Sequence, residues 1–156
     1  MRAVIQRVTT ASVIIDQKEV AEISQGLLVL VGFKAGDIEQ DYMSIAQKII
    51  KLRIFNDEQG RMNKSVRDID GELLLVSQFT LYGNCRKGNR PSFAQVMAPQ
   101  QAKTLYEQFV SYTREQYVKT YSGVFQAYMQ VSLVNDGPVT ILLDTEKKSQ
   151  FSDMSI

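Results

Sequence analysis

Apolar residues at the start of this chain follow the spacing of β-strands. Two β-branched runs, 4–8 and 11–15, are separated by threonines at 9–10, which predicts two short strands with a break between them. A polar turn at 16–18 then predicts a hairpin with the following residues. The continuous apolar run 27–32 is typical of a strand buried on both faces.

Two later segments have the spacing of amphipathic helices. Asp37 followed by Gln40 predicts a capping box at the start of the first helix. Its inner face is predicted to carry Ile38, Tyr42, Ile45, Ile49 and Leu52. Pro99 predicts the first turn of the second helix, since proline is tolerated there. Its inner face is predicted to carry Ala102, Leu105, Tyr106, Phe109 and Thr113.

The order of these elements predicts the fold class. The remaining strand-like runs are 53–55, 73–78, 129–134 and 139–143, with turns at Asp70-Gly71 and at 135–138. Strands, helix, strands, helix and strands predict an α+β fold, with mostly antiparallel β-sheets in a barrel-like layered core and two main helices packed on one side. We expect a single domain over 1–145 and a polar, flexible tail over 146–156.

Composition limits the setting of the protein. The 156 residues are 44% hydrophobic, as in a globular protein, and the net charge of +1 leaves any nucleic-acid contact to a local patch. The single cysteine, Cys85, excludes an internal disulfide and fits a reduced, cytoplasmic setting. We expect its thiol to have no catalytic role, because the chain has no histidine to lower the pKa of a cysteine. We see neither the apolar core of a signal peptide at the start nor a run long enough to cross a membrane.

The chain contains no histidine, and this absence excludes more catalytic mechanisms than any other feature of its composition. Ser-His-Asp and Cys-His catalysis are excluded, and a zinc site would have to use carboxylates and one thiol. We therefore expect no metal and no cofactor. In a hydrolase, proton transfer would depend on carboxylate, lysine, water, backbone or the substrate itself.

The first candidate for chemistry follows the strand at 73–76. Ser77, Gln78, Phe79 and Thr80 place hydroxyls, an amide and an aromatic ring at a strand end, where rigid scaffolds often present functional groups. A serine or threonine nucleophile needs an adjacent base, and spacing places none here. The same polar residues also fit a strand end whose side chains satisfy loop backbone.

The second candidate is the segment 135–140, where Gly137 and Pro138 stand side by side. Glycine lets another group approach the main chain, and proline sets a rigid corner. Such a pair can form a steric gate that excludes one enantiomer of an amino acid. A simple turn is the alternative interpretation.

Candidate nucleic-acid contacts lie between these motifs. Arg86, Lys87 and Arg90 concentrate positive charge in five residues, which favours a phosphate-binding loop or, alternatively, a solvated turn. Side chains that can pack on a base, or in the core, occur at Phe125, Tyr128 and Met129.

Taken in order, these segments resemble the D-aminoacyl-tRNA deacylase family, formerly D-tyrosyl-tRNA deacylase, over about residues 1–145. The similar segments are 7–8, 11–13, 26–32, 52–55, 60–63, 77–82, 86–93 and 134–140. The chain departs from the family's usual small and polar residues at Gln126 and Tyr128. A series of ordered motifs is much more specific than any one of them.

The resemblance implies hydrolysis of the ester between a D-amino acid and the terminal adenosine of tRNA. It implies a homodimer in which a cis Gly137-Pro138 pair enters the partner's site and rejects L-amino acids, while glycine escapes the gate. Residues 77–81 would contact the ester and adenosine, with backbone amides near Phe79 stabilising the oxyanion. The implied contacts to aminoacyl-tRNA are Arg7, Arg86, Lys87, Arg90, Phe125, Met129 and Asn135.

Two mechanisms and one alternative function stay open at this stage. In one mechanism the Thr80 hydroxyl is the nucleophile; in the other the tRNA 2′-hydroxyl helps to activate water. We favour the second as a hypothesis, because no base for Thr80 is evident. The alternative function is a non-catalytic tRNA- or RNA-binding module, which would keep the basic loop and aromatics without needing a gate.

Overall fold

The structure is a computed structural model that describes residues 1–146. Its strands and helices are β1 Arg2–Ile15, β2 Lys18–Ile23, β3 Gly26–Gly32, α1 Glu39–Lys51, β4 Phe55–Asn56, β5 Met62–Lys64, β6 Glu72–Ser77, α2 Pro99–Gln116, β7 Thr120–Ser122 and β8 Gln130–Asp144. A short 3₁₀ helix, Phe79–Tyr82, follows β6. Both predicted helices are therefore confirmed, as is the hairpin of β1 and β2.

The central strand β1 is continuous, so the predicted break at 9–10 is wrong. The pairing register of β1 with β8 shifts between Val8 and Thr10, which marks a β-bulge. Because of the bulge, Val8 and Ala11 both enter the same hydrophobic cluster although they are three residues apart. The interruption in the alternation of apolar and polar residues near 9–10 is therefore caused by an extra residue within one strand, not by a break between two strands.

The main sheet has the order β2-β1-β3-β6-β7, and β8 pairs with β1. β1 is antiparallel to β2, β3 and β8, whereas the β3–β6 and β6–β7 pairs are parallel. Parallel neighbours require long crossovers, and the segments that contain α1 and α2 provide them. The α+β fold class is confirmed; the parallel pairs were not predicted.

Both helices cover the same face of the sheet. Tyr42, Ile45 and Ile49 of α1 share one core cluster with Tyr106 and Phe109 of α2. The opposite face carries a smaller cluster without helical residues, namely Val8, Ala11, Val13, Ala21, Ile23, Leu28, Leu74 and Val76. The predicted placement of two helices on one side is therefore confirmed.

The predicted capping box at Asp37 is wrong. The Asp37 carboxylate accepts a hydrogen bond from the Met1 ammonium at 2.7 Å and another from the Lys34 amide at 2.8 Å. The helix instead starts after Ile38, whose amide donates to the Asp41 carboxylate at 2.8 Å. The prediction that Ile38 lies on the inner face of the helix is therefore also wrong, because this residue precedes the helix and its side chain is 62% exposed. A buried ammonium needs an opposite charge, and Asp37 is used for that purpose.

Two further predictions concern the ends of elements and of the chain. Of the strand predicted at 53–55, only Phe55 lies in a strand, the two-residue β4, so that prediction is wrong for residues 53 and 54. Except for residue 146, the predicted tail over 146–156 lies outside the described residues. Within residues 1–146, no helix is both long and apolar enough to span a membrane.

Candidate active site

An open cavity of about 680 Å³ lies where the carboxyl ends of β3 and β6 meet the first turn of α2. Five of the predicted site residues line it together, namely Ser77, Gln78, Phe79, Phe125 and Met129. Its remaining lining is largely apolar, and the described lining residues include no lysine, arginine, aspartate or glutamate. The wall therefore offers shape and amide or hydroxyl groups, but no charged general base.

The loop after β6 is held close to β3 by a glycine. The Gln78 amide donates to the Val31 carbonyl at 2.6 Å. An added Cβ on Gly32 would lie 2.8 Å from the Gln78 carbonyl oxygen. Only glycine at position 32 allows this approach without a shift, so Gly32 sets the position of residues 77–80.

Thr80 lies beside the cavity and is not one of its lining residues. The Gln78 side-chain amide donates to the Thr80 hydroxyl, and within residues 1–146 no lysine or carboxylate hydrogen-bonds to Thr80. The backbone N–H groups of Phe79 and Thr80 likewise have no acceptor among the described residues. These N–H groups open the 3₁₀ helix, where the first donors have no intrahelical partner.

The basic loop is attached to the edge of the cavity. Asn84 and Ser92 close its base with two backbone hydrogen bonds of 2.9 Å. Phe93 then lines the cavity and packs edge-on against Phe79, with ring centroids 5.1 Å apart. The cations of the loop, Arg86, Lys87 and Arg90, are exposed and form no ion pair within the described part of the chain.

A turn between β7 and β8 forms another wall of the cavity. The Ala127 amide donates to the Val124 carbonyl at 3.3 Å, and Gln126 has a φ of 63°. Phe125 packs on Tyr106, with ring centroids 5.7 Å apart. Burial raises the pKa of the Tyr106 hydroxyl, which donates to the Leu75 carbonyl and stays protonated.

Gly137 and Pro138 do not line the cavity of their own chain. The register of β1 with β8 moves from Val8–Asn135 to Gln6–Thr140, so residues 136–139 bulge out opposite Arg7. The segment is therefore a bulge within β8 rather than a turn between two strands. The Gly137–Pro138 peptide bond is cis, as the resemblance implied.

Arg7 and Asn135 also lie at this bulge rather than at the cavity. The buried Arg7 guanidinium donates from Nε to the Asp136 carbonyl at 2.9 Å and from Nη1 to the Ile54 carbonyl at 2.7 Å. The Asn135 side chain accepts from the Val139 amide at 2.7 Å and donates to the Val139 carbonyl at 3.2 Å. Both side chains thus hold the backbone that carries Gly137 and Pro138.

Gly32, Phe93 and Met97 border the cavity but were not predicted as site residues. Phe93 directly follows the basic loop, and its place in the motif was a usable signal. Gly32 and Met97 gave none, because a glycine at a strand end and a methionine before a helix have no distinctive local pattern.

Comparison with known proteins gives consistent matches. Residues 4–144 match the family model described as D-Tyr-tRNA(Tyr) deacylase. A D-aminoacyl-tRNA deacylase of Thermotoga petrophila is 56% identical over 147 residues, covering 94% of this chain and 99% of the relative. A protein of the same name from Thermosipho africanus is 57% identical with the same coverage.

Solved structures agree with this fold. One described as c-Myc DNA Unwinding Element Binding Protein has a TM-score of 0.90 at 42% identity, covering 94% of this chain and 100% of the other. Another, described as a probable eukaryotic D-amino acid tRNA deacylase, has a TM-score of 0.78 at 18% identity, with 91% and 97% covered, and shows the fold alone.

The fold and these matches define a deacylase, which is an enzyme of the hydrolase class. The chain belongs to the D-aminoacyl-tRNA deacylase family. Between the enzyme and the non-catalytic RNA-binding module, family membership favours the enzyme.

Proposed function

We propose that this protein removes D-amino acids from tRNA and spares L-aminoacyl-tRNA, as a chiral proofreading step in translation. The observation that carries the proposal is the largely apolar cavity, whose described lining includes no charged side chain, together with the adjacent backbone N–H groups of Phe79 and Thr80, which have no acceptor within residues 1–146. We expect the enzyme to act in the cytoplasm, because charged tRNA is used there.

The cavity would hold the aminoacylated terminal adenosine. Phe125 and Met129 would pack against the adenine, and Ser77 and Gln78 would hydrogen-bond to polar groups of the ester or ribose. Arg86, Lys87 and Arg90 would bind phosphates of the acceptor end, since they are exposed next to the cavity and unpaired within residues 1–146.

Hydrolysis would proceed by addition of water to the ester carbonyl. The adjacent tRNA 2′-hydroxyl would help to take up the proton of the water, and the N–H groups of Phe79 and Thr80 would stabilise the oxyanion. Collapse of the intermediate breaks the bond to the ribose 3′-oxygen, which takes up a proton. The products are the free D-amino acid and tRNA.

Thr80→Ala separates this mechanism from nucleophilic attack by threonine. We expect kcat to fall by less than about tenfold, because the variant keeps the backbone N–H groups and loses only a side-chain hydroxyl. Single-turnover deacylation of D-tyrosyl-tRNA measures the effect. A fall of about 10⁴-fold in a folded variant would instead support a threonine nucleophile.

A homodimer would bring the Gly137–Pro138 bulge of one subunit into the cavity of the other. Within one chain the bulge lies outside the cavity, so a second copy is the simplest source of a gate. In the described structure β8 pairs only with β1, and its Leu133, Val134 and Leu142 side chains are exposed. A long edge strand with exposed apolar side chains is a site at which another chain can pack, which favours a subunit contact at β8.

The gate would act through backbone carbonyls that leave no room for an L side chain. Arg7 and Asn135 would set the position of those carbonyls, because both side chains bind the bulge. Glycine has no side chain to reject, so we expect glycyl-tRNA to be cleaved to some extent.

The direct test compares purified protein on D-tyrosyl-, L-tyrosyl- and glycyl-tRNA without added metal. We expect rapid cleavage of the D ester, slow cleavage of the glycyl ester and no cleavage of the L ester above the rate in buffer. Equal rates for D and L esters would refute the gate. Binding of tRNA without cleavage of any ester would refute the deacylase activity.

A further inference from the structure

We propose that Tyr128 is a stacking platform for the nucleobase that precedes the terminal adenosine of bound tRNA. This inference rests on the proposed function, and it assigns a role to a residue at which the chain departs from the family's usual pattern. It extends the binding site from one nucleotide to two.

The size of the cavity places the second nucleotide outside it. A volume of about 680 Å³ lies within the range of roughly 300–1,000 Å³ that suits a single small ligand. An aminoacylated adenosine is a ligand of that class, whereas the rest of the acceptor end is not. The next base must therefore lie at the rim of the cavity.

Tyr128 is the most exposed aromatic side chain of that rim. It lines the cavity and is 90% exposed, compared with 56% for Phe79 and 38% for Phe93. Phe79 and Phe93 pack against each other, while Tyr128 packs on no other aromatic ring within residues 1–146. Its ring is open to a planar ligand, which is the requirement for base stacking.

The backbone holds this ring at a defined place. The turn closed by the Ala127 amide and the Val124 carbonyl ends one residue before Tyr128, and β8 begins two residues after it at Gln130. A short tether between a turn and a paired strand limits the positions that the side chain reaches. The exposed ring contributes little to folding, so its replacement is a clean test.

The chemistry favours a base over a phosphate or an amino acid. A neutral aromatic ring binds most favourably to another flat π-system, such as a nucleobase. Stacking of one base raises the affinity about tenfold or more. Phosphates would be bound by Arg86, Lys87 and Arg90 of the adjoining loop. The amino acid is esterified to the nucleotide inside the cavity, away from the rim.

The first experiment measures KM and kcat of Tyr128→Ala and Tyr128→Phe on D-tyrosyl-tRNA and on D-tyrosyl-adenosine. We expect Tyr128→Ala to raise KM for the tRNA about tenfold, with kcat and the KM for the adenosine ester within twofold of wild type. Tyr128→Phe should behave as wild type. Tyr121→Ala is the matched control, because Tyr121 is 41% exposed on β7 and does not line the cavity.

The second experiment uses D-tyrosyl-tRNA that lacks the base next to the terminal adenosine. We expect KM of the wild type to be about tenfold higher on this substrate than on intact D-tyrosyl-tRNA. For Tyr128→Ala we expect the same KM on both substrates, which is the coupling expected of a direct contact. Additive losses would overturn the proposal, as would an equal effect of Tyr128→Ala on the adenosine ester. A change of oligomeric state in Tyr128→Ala would also overturn it, by assigning the ring to a subunit contact. Failure of the wild type to cleave either D ester would refute the deacylase activity itself.

Discussion

Gly137→Ala is expected to reduce the discrimination between D- and L-tyrosyl-tRNA by about 100-fold, since shifts of about 1 Å have effects of that size. Gly137 has a φ of 138°, which side chains rarely adopt. Its added Cβ would lie 2.7 Å from Val139 Cγ2 and 3.2 Å from Arg7 Nη2. The bulge would have to move, and its carbonyls with it. The ratio of single-turnover rates on the two esters measures the change.

Gly60→Ala is the matched control for this experiment. Gly60 also has a positive φ, of 77°, but an added Cβ there would meet nothing within 4 Å. We expect this variant to lose about 1 kcal/mol of stability and to keep full discrimination. An unchanged ratio of rates in a folded, dimeric Gly137→Ala would show that the gate lies elsewhere.

Arg7→Met is expected to lower the free energy of unfolding by about 3 kcal/mol. Methionine keeps an apolar stem but cannot donate to the Asp136 and Ile54 carbonyls, which Arg7 binds at 2.9 Å and 2.7 Å. Because these carbonyls belong to the bulge and to the segment before β4, the variant should also relax discrimination. Urea denaturation and the two-ester assay measure the two effects.

Asp136→Asn shows which part of this contact matters. Its carboxylate lies 3.2 Å from Arg7 Nε but is 40% exposed, so its charge should contribute less than about 1 kcal/mol. The backbone carbonyl bound by Arg7 is unchanged in this variant. An Arg7→Met protein as stable as wild type, or an Asp136→Asn protein as damaged as Arg7→Met, would contradict this account.

The successful predictions concerned features with a local cause. The apolar run of β3, the buried positions Tyr42, Ile45 and Ile49 of α1, the inner face of α2 and Pro99 at the start of α2 are visible in the order of residues. Periodicity and capping act over a few residues, which explains why those predictions held.

The errors arose where distant parts of the chain compete for the same group. The local pattern predicts Asp37 as a helix cap, but the Met1 ammonium lies beside it in the folded chain. The threonines at 9–10 predict a break between two strands, but pairing with β8 keeps the strand continuous through a bulge. A local pattern contains no information about which partner approaches.

By itself, the sequence determined the α+β class, the two helices and the family, and it predicted the segments of the candidate site. The tertiary structure alone decided that Ser77, Gln78, Phe79, Phe125 and Met129 share a cavity, and that Arg7 and Asn135 lie at the bulge. Helix and strand preferences act between near neighbours, whereas a site depends on strand register and on close approaches such as that at Gly32. Those are set only when residues far apart in the chain pack together.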